Sequence, residues 1–408
     1  MTESRLFAGK TELRLTPFHA RTAELCQAQE WRRWSGYLAA SAYDLTPENE
    51  YFAIRTTAGL LDVTPLHKYM ISGRDAAPLL NRIVTRNISK CKLHQVMYTP
   101  WCDEKGKVID DGTVQHLEEN KFRLTSADPN LHWLTENSSG MDVKIRDDSE
   151  TTAALALQGP NSRDILNQIS TVNLDKLKFF YLTHVKLGDI PVTVSRTGYT
   201  GDLGYEIWTE RENALAMWDL IMETGKPHGI TPAGIYALDI ARIEAGLILI
   251  EVDYISAHHA IIDARESSPY ELGLGWAVKL KKGDFIGKKA LLKEKRQGPA
   301  WQFQTIEIEW IPLEKLYRNI GLPPQLPTTA WRTSTPIYVN ERQVGYATSG
   351  CWSPLLKKYI ALAHLETEYS KIGTQLKFEV KVEHYRHLTP ATVMRKPAFD
   401  PERKRSCP

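Results

Sequence analysis

Residues 98–114 read Tyr-Thr-Pro-Trp-Cys-Asp-Glu-Lys-Gly-Lys-Val-Ile-Asp-Asp-Gly-Thr-Val and constrain the fold more than any other stretch. Asp103, Glu104, Lys105 and Gly106 form a polar cluster ending in glycine between two β-prone runs, so the chain is expected to run strand, turn, strand. Val108, Ile109, Thr113 and Val114 favour the second strand, while Asp110, Asp111 and Gly112 interrupt it. Side chains alternate along a strand, so the two adjacent carboxylates point to opposite faces. One is free to lie in solvent while the other faces a cavity, and the alternation does not say which. A bulged strand end with two hydrated carboxylates has the same pattern.

At 408 residues the chain has room for two or three domains and a large core. A net charge of +2 argues against a broad nucleic-acid surface. The five cysteines are widely spaced, with no C-x-x-C pair and no disulfide framework, as expected in a reducing compartment. Met1 to Lys10 lacks the apolar core of a signal peptide, and no apolar run approaches the roughly 18 residues of a membrane span. The expected setting is cytoplasmic, without membrane or nucleic-acid partners. No His, Asp and Glu spacing of the H-E-x-x-H kind occurs, so no metal is expected.

The second informative stretch is 195–207, Ser-Arg-Thr-Gly-Tyr-Thr-Gly-Asp-Leu-Gly-Tyr-Glu-Ile. Its three glycines follow the β-prone run Val192 to Val194, without the Gly-Lys-Ser/Thr of a P-loop or the context of a Rossmann turn. Taken with Asp110-Asp111, it resembles the aminomethyltransferase (glycine-cleavage T-protein) family of folate enzymes. Further matches follow in order: residues 51–63, Gln158-Gly159-Pro160, Arg242-Ile243-Glu244-Ala245-Gly246, Leu272 to Trp276, Asp284 to Lys288, and Thr348 to Pro354. The resemblance covers roughly residues 50–395.

The element pattern is α+β. Helices are expected at 51–61, 75–84, 130–135, 161–169, 213–224 and 233–244, and strands at 68–72, 122–125, 152–157 and 276–280. The charged segment Lys288 to Pro299 reads as an interdomain linker. Beyond residue 300, five β-prone runs (305–310, 336–339, 343–348, 360–365 and 375–382) suggest a small antiparallel barrel or sandwich. The aromatic-rich residues 1–50 read as an irregular arm packed through Trp31, Trp34, Tyr37 and Tyr43, and Arg403-Lys404-Arg405 as a solvated end. The resemblance implies a cloverleaf-like multidomain body around a folate channel. Residues 1–290 would form two interleaved α+β subdomains, and residues 300–395 a C-terminal β-barrel.

Tetrahydrofolate presents a planar pterin, an aminobenzoate and an anionic tail. On the matching motif positions, Tyr98, Tyr199 and Trp276 would supply walls, Glu206 a bidentate acceptor for pterin N–H groups, and Arg242 a partner for a carboxylate. The resemblance assigns the catalytic carboxylate to Asp111, with Asp110 beside it. Thr64-Pro65-Leu66-His67 replaces the family's usual Ser-His-Met-Gly, Gly112 its Leu, and Ile235 to Asp239 its Gly-Ala-Arg-Asp. Residues 247–269 are longer than in a glycine-cleavage enzyme and resemble the tetrahydrofolate-dependent demethylase branch, including aryl-ether O-demethylases. Asp253, Tyr254, His258 and His259 are therefore candidate substrate-side residues. The expected activity is transfer of a methyl group from a small O-, N- or S-methyl donor to N5 of tetrahydrofolate. The alternatives are aminomethyl transfer in the glycine cleavage system, with a lipoyl carrier protein as partner, and a non-catalytic folate-binding protein.

Overall fold

The computed structural model describes residues 13–407, so the reading of Met1 to Lys10 lies outside the described residues. Three β assemblies position the site. The first is a five-stranded antiparallel sheet, in the spatial order Val96–Cys102, Val108–Glu118, Lys121–Ser126, His67–Ser72 and Lys144–Asp147. Its first two strands are the expected hairpin, in which Asp111 pairs with Pro100 and Thr113 with Tyr98. Cys102 pairs with Val108 but Trp101 with Asp110, so Ile109 is the extra residue of a bulge. From there the alternation is regular. Asp110 and Val114 turn to the buried face, which is sealed by Leu79, Leu80 and Ile83 of helix Ala76–Ile83. Asp111, Thr113 and Gln115 turn to the other.

The second assembly is a six-stranded sheet in the order Leu182–Leu187, Ile190–Ser195, Gly204–Glu210, Thr152–Gln158, Ala58–Asp62 and Ile230–Pro232. Only its last pair is parallel. Helices Ser162–Ile169 and Ala214–Gly225 bury Ile165, Leu166, Met217, Trp218 and Ile221 against Leu155, Leu157, Val194 and Ile207. Glu206 and Trp208 alternate with Tyr205 and Ile207 and so occupy the opposite face.

The third assembly is a closed barrel in the order Trp301–Ile308, Lys358–Glu366, Arg342–Ser353, Thr335–Val339, Gln375–Val382 and Tyr385–Met394. Pairing of its first and last strands, Thr305 with Met394 to Ile308 with Ala391, closes it and decides barrel over sandwich. Helix Ile235–Glu244 packs against this barrel and against helix Glu48–Thr56.

Several expectations are corrected. The helix expected at 51–61 ends at Thr56, and Ala58–Asp62 is a strand. Residues 276–280 are not a strand: Gly275–Ala277 is a single 3-10 turn, because the strongly apolar text there fills a loop between assemblies. The expected linker contains helix Lys288–Gln297, whose Leu291 is buried under the hairpin turn at Gly106. The strand expected at 305–310 ends at Ile308, and Trp310–Arg318 is a helix. Strand Tyr385–Met394 escaped the sequence reading, because His384, Arg386 and His387 obscure its alternation. The N-terminal segment is a three-stranded sheet of Arg14–Leu15, Tyr37–Ala42 and Glu30–Trp34, with Tyr37 and Tyr43 buried. The basic tail is not a free end. Arg403 grips Asp202 through Nε and Nη2 at 2.7 and 2.8 Å, and Arg196 donates to the backbone carbonyls of Arg403, Lys404 and Ser406. Among the described residues, no helix is long and apolar enough to cross a membrane.

Candidate active site

The two adjacent aspartates have opposite environments. Asp110 is fully buried, and its Oδ2 accepts from the Asp128 backbone N–H at 3.1 Å and Asn130 Nδ2 at 2.9 Å. Its Oδ1 accepts from the Asp111 backbone N–H at 2.7 Å. Burial, then the neighbouring Asp111 charge, pushes the Asp110 carboxyl well above the carboxylate range. Asp110 ties the strand to loop 128–130, and the geometry keeps it off the open face.

Asp111 faces the opposite way and remains partly exposed. Tyr98 donates to its Oδ2 at 2.7 Å and Tyr254 to its Oδ1 at 2.6 Å. Burial raises its pKa, and the hydrogen bonds from Tyr254 and Tyr98 oppose that rise. Both tyrosines are themselves raised well above their ordinary value, by burial first and the Asp111 charge second, so they remain donors. The residue after the pair is explained by packing. A Cβ on Gly112 would lie 1.9 Å from the Thr125 carbonyl oxygen, so the strands approach too closely there for any side chain.

Tyr254 reaches Asp111 from the loop beyond helix Ile235–Glu244, which an ionic cluster anchors. Arg242 donates through Nε to Asp239 at 2.7 Å and through Nη1 to Asp253. Burial pulls Arg242 down, but Asp253 and Asp239 outweigh it and hold the guanidinium charged. Asp253, 1% exposed, also accepts from the Leu249 N–H and from Thr348 and Ser349 of the barrel. Both its oxygens are therefore committed. Contrary to the substrate-side expectation, Asp253 is a strut that fixes Tyr254 between helix and barrel.

On the six-stranded sheet, Glu206 accepts from Thr197 Oγ1 at 2.6 Å through Oε2, while Oε1 has no hydrogen bond from the described residues. Burial raises the Glu206 pKa against the Thr197 and Ser195 hydroxyls. The glycine-rich turn holds Tyr199, whose hydroxyl donates to the Ile248 carbonyl, and it closes around Gln158. A Cβ at Gly198 or Gly204 would fall 2.0 or 2.3 Å from Gln158 Oε1, so both glycines are needed to seat that side chain.

Trp276 is 53% exposed, with its ring 6.2 Å from that of Tyr98 and tilted 24° to it. Over it, at 5.2 Å, lies the guanidinium of Arg86, which has no ion pair among the described residues. The sequence reading missed Arg86, because a lone arginine after a helix carries no signal. His258 stands edge-on to Trp133, and His259 hydrogen-bonds Glu251 at 3.0 Å, so the His pair points toward that loop's outer side. The ligand atoms of His259, Glu251 and Asp128 lie within 4.8 Å of one another, a grouping that sequence spacing hid.

A buried network beneath the site was likewise unread. Arg55 pairs with Glu244 at 2.7 Å and lies 3.5 Å from Asp202, all three side chains inaccessible. Tyr51 and Ser353 also donate to Glu244. Tyr51 and Arg55 are one helical turn apart, which in retrospect is the only local hint.

The residues fit a folate. Among the described residues Glu206 Oε1 accepts no hydrogen bond and buried Arg242 Nη2 donates none, and Tyr98 and Trp276 present aromatic faces. Comparison with known proteins agrees. The GCVT N-terminal domain matches residues 16–282, and the glycine cleavage T-protein C-terminal barrel domain matches residues 318–400. The aminomethyltransferase of Caldanaerobacter subterraneus subsp. tengcongensis is 36% identical over 338 residues, covering 82% of this chain and 83% of that protein. The trimethylamine-oxide aldolase of Ruegeria pomeroyi is 32% identical over 404 residues, covering 96% of this chain but 47% of that longer protein. The crystal structure of glycine cleavage system aminomethyltransferase T from Bartonella henselae shares the fold at TM-score 0.80 and 21% identity, covering 95% of this chain and 99% of that one. Fold and site thus define a tetrahydrofolate-dependent transferase of one-carbon groups. The chain belongs to the glycine cleavage T-protein family.

Proposed function

We propose that this enzyme moves a methyl group from a small O-, N- or S-methyl donor to tetrahydrofolate, with Asp111 as its catalytic carboxylate. The observation that carries the reading is the suspension of Asp111 between Tyr98 and Tyr254, with Tyr254 supplied by segment 247–269. A relative matched over 96% of this chain, though over only 47% of its own length, is named for a methylated amine oxide, which supports a methylated donor. Tetrahydrofolate supplies the nucleophilic N5 that accepts the one-carbon unit. Asp111 balances positive charge developing at the reacting nitrogen and takes the proton that nitrogen loses, while the donor's leaving group departs with the bonding electron pair. Tyr98 and Tyr254 hold the carboxylate in one orientation. Glu206 accepts from pterin N–H groups, Tyr98, Tyr199 and Trp276 wall the ring system, and Arg242 Nη2 offers a buried donor. Arg86, unpaired above Trp276, is placed to meet an anionic tail. Asp110 and Asp253 position the reacting residues.

Aminomethyl transfer is the second reading, favoured by the 34–36% identity to several aminomethyltransferases. A product assay separates the two. Purified protein and tetrahydrofolate are incubated with methylated amines, amine oxides, sulfonium compounds, methoxybenzoates or an aminomethyl-lipoyl carrier protein, and the folates are resolved by mass spectrometry. Methyltetrahydrofolate from a methylated donor supports the proposal. Methylenetetrahydrofolate with ammonia, formed only from the lipoyl carrier, replaces it with the second reading.

A further inference from the structure

A separate group of unpaired donors lies further along the same strands. Two of its members, Arg123 and Trp208, line an open cleft of about 570 Å³ between strand Lys121–Ser126 and the strands Leu182–Leu187, Ile190–Ser195 and Gly204–Glu210. Gln115 shares a face with Asp111 four residues later, roughly 13 Å away at the rise of a strand. Trp208 follows Glu206 on the other sheet in the same way.

At this end three donors have no acceptor among the described residues: Gln115 Nε2, Arg123 Nε and Trp208 Nε1. Their side chains belong to residues only 0%, 8% and 2% exposed. Arg123 Nη1 donates to Gln115 Oε1 at 3.2 Å, which fixes the amide with its nitrogen turned away from the guanidinium. The guanidinium lies 5.3 Å from the Trp208 ring centroid. No carboxylate comes within ion-pair distance of Arg123 among the described residues. Burial lowers the Arg123 pKa to about 10, and Asp148 and Glu210 oppose that only from longer range, Glu210 being exposed at the cleft edge.

Buried donors are normally paired, and a buried guanidinium without a counter-ion is more costly still. The cluster holds a cation and N–H groups but no unsatisfied acceptor. Its complement is an anion with several lone pairs. The cluster is built on paired strands of two sheets, so its geometry is fixed by the fold.

We propose that this cleft binds a small oxyanion, foremost a carboxylate, through Arg123 and Trp208, with Gln115 holding the guanidinium from behind, at a site distinct from the Asp111 centre. The test uses the full chain labelled with ¹⁵N at the tryptophan indoles. Sodium acetate and inorganic phosphate are titrated separately at constant ionic strength against sodium chloride, and Trp208→Phe assigns the Trp208 signal. The expected result is a saturable shift of that one indole N–H, with half-saturation at least tenfold lower than for chloride. Arg123→Met abolishes the saturation, Gln115→Leu weakens it, and Asp111→Asn titrates as the wild type. Tighter saturation by phosphate than by acetate keeps the site and assigns it to a phosphate group. Absence of saturation by either anion in the wild-type protein overturns the proposal, whether or not the Arg123 variant folds. A titration altered by Asp111→Asn overturns the claim of a distinct site.

Discussion

The hydroxyl of Tyr254 lies 2.6 Å from Asp111 Oδ1, a hydrogen bond that spans 143 residues of sequence. It lowers the Asp111 pKa against the effect of burial, so its removal raises that pKa. In the proposed mechanism Asp111 works as the carboxylate, so activity is expected above its pKa and lost as pH falls through it. Tyr254→Phe therefore moves the acid limb of the pH–kcat profile to higher pH, and Tyr98→Phe moves it the same way. An unmoved limb in both variants would assign that limb to another group.

The two aspartates separate by readout. Asp111→Asn keeps the shape but not the charge and is expected to lower kcat by roughly 10²–10⁴-fold. The Kd for tetrahydrofolate should change by less than about tenfold. Asp110→Ala strands the donors of Asp128 and Asn130 and should lower the melting temperature, at a cost of about 1–3 kcal/mol. Steady-state kinetics, folate titration and calorimetry on both variants check the division. Normal turnover in Asp111→Asn would remove it from the mechanism.

Glu206 has one oxygen held by Thr197 and one without a hydrogen bond from the described residues. Glu206→Ala is expected to weaken tetrahydrofolate binding by about 1.5–3 kcal/mol, the loss of a charge-assisted acceptor. At saturating folate much of kcat should return. Isothermal titration measures the first and saturation kinetics the second; unchanged affinity would place the pterin elsewhere.

Gly112 stands where the Thr125 carbonyl leaves no room for a Cβ. Gly112→Ala must separate two hydrogen-bonded strands and should destabilise the protein by about 2–4 kcal/mol. Denaturant unfolding gives the value. A neutral effect would mean that the strands part easily there.

The tail tests a different link. Arg403→Ala removes a bidentate partner from buried Asp202, which Arg55 still approaches at 3.5 Å. Because Arg403 is 40% exposed, the expected loss is only about 1–2 kcal/mol, a few degrees of melting temperature. The turn holding Tyr199 loosens with it, so the KM for tetrahydrofolate should rise. A lower melting point with unchanged KM would leave the tail with a purely stabilising role.

Local sequence carried the hairpin, the helices at 76–83, 162–169 and 214–225, and the juxtaposition of opposed carboxylates, because turn chemistry, apolar period and strand alternation act over a few residues. Ordered motifs carried the family, which the matches over residues 16–282 and 318–400 show. Only the tertiary structure decided which aspartate is held open between tyrosines, since that depends on which face of the sheet is sealed by helix Ala76–Ile83. It also turned Asp253 from a substrate-side candidate into a strut, joined Arg55 to Glu244 and Asp202, and tied down the tail through Arg403. The physical reason is common to all of these. A charge's role is set by what desolvates and pairs it, and here the partners of Arg55, Asp111, Asp253 and Arg403 lie from about ten to more than two hundred residues away in sequence.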